Sequence, residues 1–185
     1  MKAWTKSILV SAALLPALAS AAGLLGSTVD VRYHYDDGAL TLNTLDAVVV
    51  GAGTELTCPG GADLCHALTA PTQTLNLGDS SIRYDFVGQG GATGGFNDVA
   101  VNRFAFESLF SGTTLTGVQL TTNIAGLDAS RLSFAAHSVQ LDMHGLTLGS
   151  QAFFQLDLQT APVPEPASAA LLLGGLALLA ARRRA

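Results

Sequence analysis

The sequence predicts an all-β protein, a single β-sandwich or jelly-roll-like domain of about eight to ten strands with a short segment of different character at each end. Three observations carry that prediction. Stretches of five to eight residues alternate apolar and polar side chains with the period of a half-buried strand, and turn residues separate them. Nowhere between the ends does an apolar stripe of helical period run for three turns. The ends hold both lysines and three of the seven arginines. Setting them aside leaves a body over residues 22–162, roughly 140 residues, enough to enclose one real core.

Residues 1–21 open with Lys2 and Lys6, continue through an apolar run from Ile8 to Leu15, and close on small residues. Positive start, short apolar middle and small-residue close are the marks of a secretory signal peptide. Ala19 and Ala21 fit the signal peptidase subsite, with cleavage expected after Ala21 and Ala19 as the alternative. Signal peptidase is therefore an expected partner, and the body is expected to fold outside the cytoplasm.

In the body, 28–35 alternates as a strand and meets the turn Asp36-Asp37-Gly38. A short apolar run follows at 45–50, then strands at 72–77 and 81–87, with Gly78-Asp79-Ser80 between them. That tripeptide reads as a turn in which the Asp79 carboxylate caps nearby backbone N–H groups. Further strands are expected at 102–107, 115–122, 131–135, 139–143 and 152–158. The longest interruption, 88–98, is glycine-rich and reads as a mobile loop; it lacks the Gly-Lys-Ser/Thr and the following helix of a phosphate cradle. Cys58 and Cys65 are the only cysteines. Behind a secretory signal they read as one disulfide closing a turn-rich loop, whereas zinc would need more ligands at other spacings.

After 162 the composition changes again. Pro164, Glu165 and Pro166 fall in the segment 163–166, residues 167–181 carry no charge, and Arg182, Arg183 and Arg184 follow. Fifteen apolar residues make a helix of about 22 Å, short of the hydrocarbon core yet apolar on every face, so 167–181 is expected to be a short transmembrane helix. The arginines favour the cytoplasmic side. This tail over 163–185 resembles the PEP-CTERM sorting signal of Gram-negative bacteria, in which a Pro-Glu-Pro motif, a short membrane helix and a terminal basic cluster come in that order. The resemblance implies recognition by an exosortase, passage through the inner membrane, removal of the tail, and delivery to the cell surface or extracellular matrix. It also implies a link with exopolysaccharide and biofilm. Bodies of many kinds share such an address, so it assigns no activity to this one.

The body carries thirteen acidic residues against Arg32, Arg83, Arg103 and Arg131, a formal net charge of −9. Such a surface excludes a nucleic-acid binder. No G-x-S-x-G nucleophile elbow occurs. Glycoside hydrolysis would need two carboxylates about 5–9.5 Å apart, and Asp85, Glu107, Asp142 and Asp157 are the strand candidates. Calcium would take loop carboxylates and carbonyls, for which Asp36, Asp37, Asn97, Asp98 and Asp128 are candidates, although no EF-hand pattern is present. Tyr33 and Tyr35 share one face of their strand, as do Tyr84 and Phe86; an exposed tyrosine pair would stack on sugar rings. The expectation is a non-enzymatic structural or adhesive protein of the envelope or matrix, with no catalytic residue and no resident cofactor. The alternatives are a polysaccharide hydrolase using a carboxylate pair and a calcium-stabilised carbohydrate-binding module.

Overall fold

The computed structural model describes residues 23–68, 70, 72–162, 173–176, 180 and 182. In chain order the body forms β1 (Thr28–Asp36), β2 (Thr41–Val49), β3 (Leu56–Cys58), helix α1 (Asp63–Ala67), β4 (Gln73–Leu77) and β5 (Ser81–Val87). It continues with β6 (Gly94–Gly95), β7 (Val101–Glu107), β8 (Thr113–Thr122), β9 (Leu132–Ala135), β10 (Ser138–Asp142), β11 (Thr147–Leu148) and β12 (Gln151–Pro162). Two five-stranded antiparallel sheets result, ordered β2-β1-β7-β10-β9 and β3-β4-β5-β12-β8, with β6 and β11 as a small extra pair.

The alternation read from the sequence decides which face each strand buries. Val31 and Tyr33 on β1, Phe104 and Phe106 on β7, and Val139 and Leu141 on β10 turn inward from the first sheet. Leu75, Ile82, Tyr84, Phe154 and Leu156 meet them from the second. Phe104 sits where the sheets touch, its ring 5.6 Å from Tyr84 and 5.7 Å from Phe154. The outer faces keep the charges. Arg83 lies over the Phe153 ring at 4.4 Å and pairs with Asp85 at 2.7 Å.

The two sheets are tied at one end by the residues just before β1. Leu24 N donates to Asp79 O (2.8 Å), Gly26 N donates to Val50 O (2.9 Å), and the Leu24 side chain is fully buried beneath them. Pro162, the last residue of β12, pairs with Thr113 at this same end, so the body receives and releases its chain on one side. Twelve residues of β12 run from there to the opposite end, about 40 Å at strand rise.

Several expectations need correction. The strand read at 45–50 begins earlier, at Thr41, because its polar residues Asn43 and Thr44 pair with β1 as readily as the apolar ones. Strand β3 and helix α1 were not expected at all. Three residues are too few to show a period, and the five-residue helix is held from outside: Asp46 of β2 accepts from Asp63 N (2.9 Å) and Leu64 N (2.8 Å). The glycine-rich segment 88–98 is not simply a mobile loop. Its Gly94 and Gly95 pair with β11, Phe96 is buried in the core, and a Cβ on Gly88 would lie 1.7 Å from Ala92 O, so glycine is required there by close approach. Asp79 does not cap its own turn; its carboxylate accepts from Leu25 N, 54 residues away.

The signal segment 1–21, with Ala19 and Ala21, lies outside the described residues, as do Pro164, Glu165, Pro166, Arg183 and Arg184. Of the expected membrane helix, 173–176 and 180 are helical and exposed, as is Arg182 beyond it. Among the described residues no helix is long and apolar enough to cross a membrane.

Candidate functional site

At the end of the sandwich away from Gly23 and Pro162, the sheets part around a cleft of about 470 Å³. Its floor is Tyr33, Phe96 and Gln73, all buried, and its rim is Tyr35, Leu40 and Asn97. Tyr33 and Tyr35 do share a face, and the structure divides their roles. Tyr33 is core, donating its hydroxyl to Asn102 Oδ1, and burial pushes its phenol well above the usual value. Tyr35 is half-buried at the mouth; its hydroxyl donates to Asp37 Oδ2 (3.1 Å) and accepts from Asn97 Nδ2 (3.2 Å). Asn102 Nδ2 in turn donates to Asn97 O (3.0 Å), so a continuous hydrogen-bonded chain runs along the cleft wall. Tyr84 and Phe86 are both core, the Tyr84 hydroxyl donating to Gln73 Oε1.

His66 and Leu68 reach the cleft from α1 and the residues after it. They are held there by the disulfide Cys58–Cys65, whose Cα atoms lie 5.1 Å apart. Sequence reasoning singled out the cysteines and the tyrosines but missed His66, Phe96 and Asn102 as cleft residues. Phe96 carried a usable signal, a large aromatic inside an otherwise glycine-rich stretch.

The four strand carboxylates are not brought together. Asp85 and Asp157 lie on the outer face of the second sheet, and Glu107 and Asp142 on that of the first, with the core between the two pairs. Asp85 stands opposite Phe153 and Asp142 opposite Arg103, so in each pair the partners are four residues apart along a strand, about 13 Å, beyond the spacing for hydrolysis. Each has its own partner: Arg83 for Asp85, Arg32 for Glu107 (2.7 Å), His144 for Asp142 (2.7 Å), and Gln155 for Asp157 (2.8 Å).

Three of the four loop carboxylates serve their own loops. Asp36 accepts from Gly38 N, Asp37 from Ala39 N and Leu40 N, and Asp128 from Ser130. Among the described residues no three His, Cys, Asp or Glu side chains group as a metal site would require.

These bonds set an acid limit. Backbone N–H groups of Leu40 and Ala39 hold Asp37 below the usual carboxylate range, and the Ser130 hydroxyl and N–H do so for Asp128. Burial pushes Asp142 up, but hydrogen bonds from His144 and the charges of His144 and Arg131 outweigh it, and the net direction is down. A carboxylate with a depressed folded pKa contributes stability that is complete above its unfolded value, near 4, and is lost as the pH falls through the folded value. Burial first, and then the Arg103 charge, hold the His34 imidazole below its ordinary value. A first decline of the thermal midpoint is therefore expected as the pH falls below about 6.5, and a further one below about pH 4; circular dichroism melts from about pH 7 to pH 3 check it. A midpoint that rises on acidification would overturn the assignment.

The chain is thus an antiparallel β-sandwich with an end-on cleft, continued at its other end into a tail of separate composition. Residues 162–185 match the family model described as the PEP-CTERM protein-sorting motif. The match covers the tail and not the body. Such a tail indicates an exported protein sorted by an exosortase, with membrane-anchored sorting in Gram-negative bacteria. No curated protein and no solved structure matches the chain.

Proposed function

We propose that the protein is a non-enzymatic component of the cell envelope or extracellular matrix that holds exopolysaccharide in the end-on cleft. The observation that carries this reading is placement: the cleft opens at the end of the sandwich opposite Pro162, where the sorting tail begins. A body attached or delivered by that tail presents the cleft outward.

The lining has the chemistry for sugars. The Tyr35 ring and Leu40 offer apolar surface to the C–H face of a pyranose, while Asn97 and His66 offer groups that pair with hydroxyls. The volume falls in the range of small-ligand sites, about 300–1,000 Å³. Among the described residues the polar groups that line it are neutral amides, tyrosine hydroxyls and one imidazole.

The test is retention of the full-length protein on the host's extracellular polysaccharide. Tyr35→Ala is expected to weaken retention about tenfold, with Tyr35→Phe, which keeps the ring, close to the parent. Equal retention by Tyr35→Ala would remove the cleft from the reading. New reducing ends released from the polysaccharide by the purified protein would overturn its non-enzymatic part.

A further inference from the structure

A second feature lies on the outer face of the first sheet, near the cleft end. Three of the body's four arginines gather there: Arg32 on β1, Arg103 on β7 and Arg131 just before β9. Arg32 is paired with Glu107, and Arg131 donates from Nη1 to His144 O (2.9 Å) and stands 4.0 Å from Asp142 Oδ2. Arg103 differs. Among the described residues its Nε, closed to solvent, has no hydrogen-bond partner, although Asp142 is its neighbour across the strand register. Asp142 turns to His144 Nδ1 instead.

Around Arg103 is a pocket of about 190 Å³, lined also by Arg131, Ser133, Gln140 and Asp142 and floored by 100–102. That Nε is closed to solvent, so an acceptor entering the pocket would meet the Nη end of the guanidinium instead. The two Nη groups form a planar fork that matches a carboxylate with two parallel bonds. Charge narrows the choice further. Arg103 and Arg131 against Asp142 leave one net positive charge, which suits a monoanion better than a phosphate dianion. The Ser133 hydroxyl and Gln140 amide can pair with hydroxyl groups beside the carboxylate. Asn102 borders both this pocket and the cleft, so one chain could occupy the two.

We propose that the pocket around Arg103 and Arg131 binds the carboxylate of an acidic sugar, a hexuronate unit of an extracellular polysaccharide. The sugar as carrier rests on the glycan reading above; the carboxylate rests on Arg103 alone.

The experiment is calorimetric titration of the full-length protein in detergent micelles with sodium D-glucuronate, D-glucuronamide, D-glucose, inorganic phosphate and triglycine. Glucuronate is expected to saturate at about 1–10 mM and to bind at least about tenfold tighter than the amide or glucose. Arg103→Gln is expected to abolish that preference and Arg103→Lys, which keeps the charge without the fork, to reduce it. Tyr35→Ala is expected to leave it unchanged, which separates this pocket from the cleft: loss of neutral-glycan retention alone would count against the cleft and not against Arg103. Glucuronate no tighter than glucuronamide on the unaltered protein would overturn the proposal whether or not the variants fold. So would phosphate or triglycine binding as tightly as glucuronate, since the site would then read any anion or a peptide terminus, and so would unchanged glucuronate binding by Arg103→Gln.

Discussion

Phe104→Ala is expected to destabilise the body by about 3–5 kcal/mol, against a total of about 5–15 kcal/mol for an ordinary domain. The side chain is fully buried on the central strand of the first sheet. Its ring lies 5.2 Å from Tyr33, 5.9 Å from Phe96 and 6.2 Å from Phe106 within its own half of the core. It also reaches Tyr84 and Phe154 across the sandwich. Removing it takes away apolar burial and several ring contacts at once, and it opens a cavity walled by stiff aromatics that collapse poorly. Urea denaturation measures the loss; Phe104→Leu, which fills most of the space, should lose clearly less. A cost below about 1 kcal/mol for the alanine variant would mean that the sheets are held together elsewhere.

The paired substitution Cys58→Ala and Cys65→Ala is expected to lower stability by about 2.5 kcal/mol, from the loop-closure entropy of an eight-residue ring. For a body of this size the thermal midpoint should drop by about 8–10 °C. Reduction of the unaltered protein should reproduce most of that drop. The bond also fixes the segment that carries α1, whose other ties include the buried Leu64 and Leu68 and the carboxylate of Asp46. His66 and Leu68 should therefore lose their place in the cleft together with the stability, and glycan retention should weaken in the same variant. An unchanged midpoint would mean that this loop is already closed in the unfolded chain.

Much of the fold was legible because strand alternation is local. The strand expected at 81–87 appears with those bounds, and those at 28–35, 72–77 and 102–107 differ by a residue at an end. What escaped was either too short to have a period or held by a distant partner. Strand β3 has three residues, and α1 begins where a carboxylate 17 residues earlier accepts its first N–H groups. The last strand runs on to Pro162 rather than stopping near 158, because its final residues pair with the start of β8 across a bulge between Gln159 and Thr160. Polar residues such as Gln159 and Thr160 carry no hydrophobic signal for that extension.

The sequence by itself determined the strand faces, the acidity of the body, the cysteine pair and the sorting tail, each a property of composition or of neighbours within a few residues. Only the tertiary structure decided which groups meet. Tyr35 and Asn97 are 62 residues apart, Tyr33 and Asn102 are 69, and Arg32 and Glu107 are 75. Alternation tells a side chain which face to occupy, but strand order and register choose its neighbours, and these follow from how two whole sheets bury their aromatic faces against each other. For that reason the cleft, its position opposite Pro162, and the Arg103 Nε that has no partner among the described residues belong to the fold rather than to any stretch of the chain.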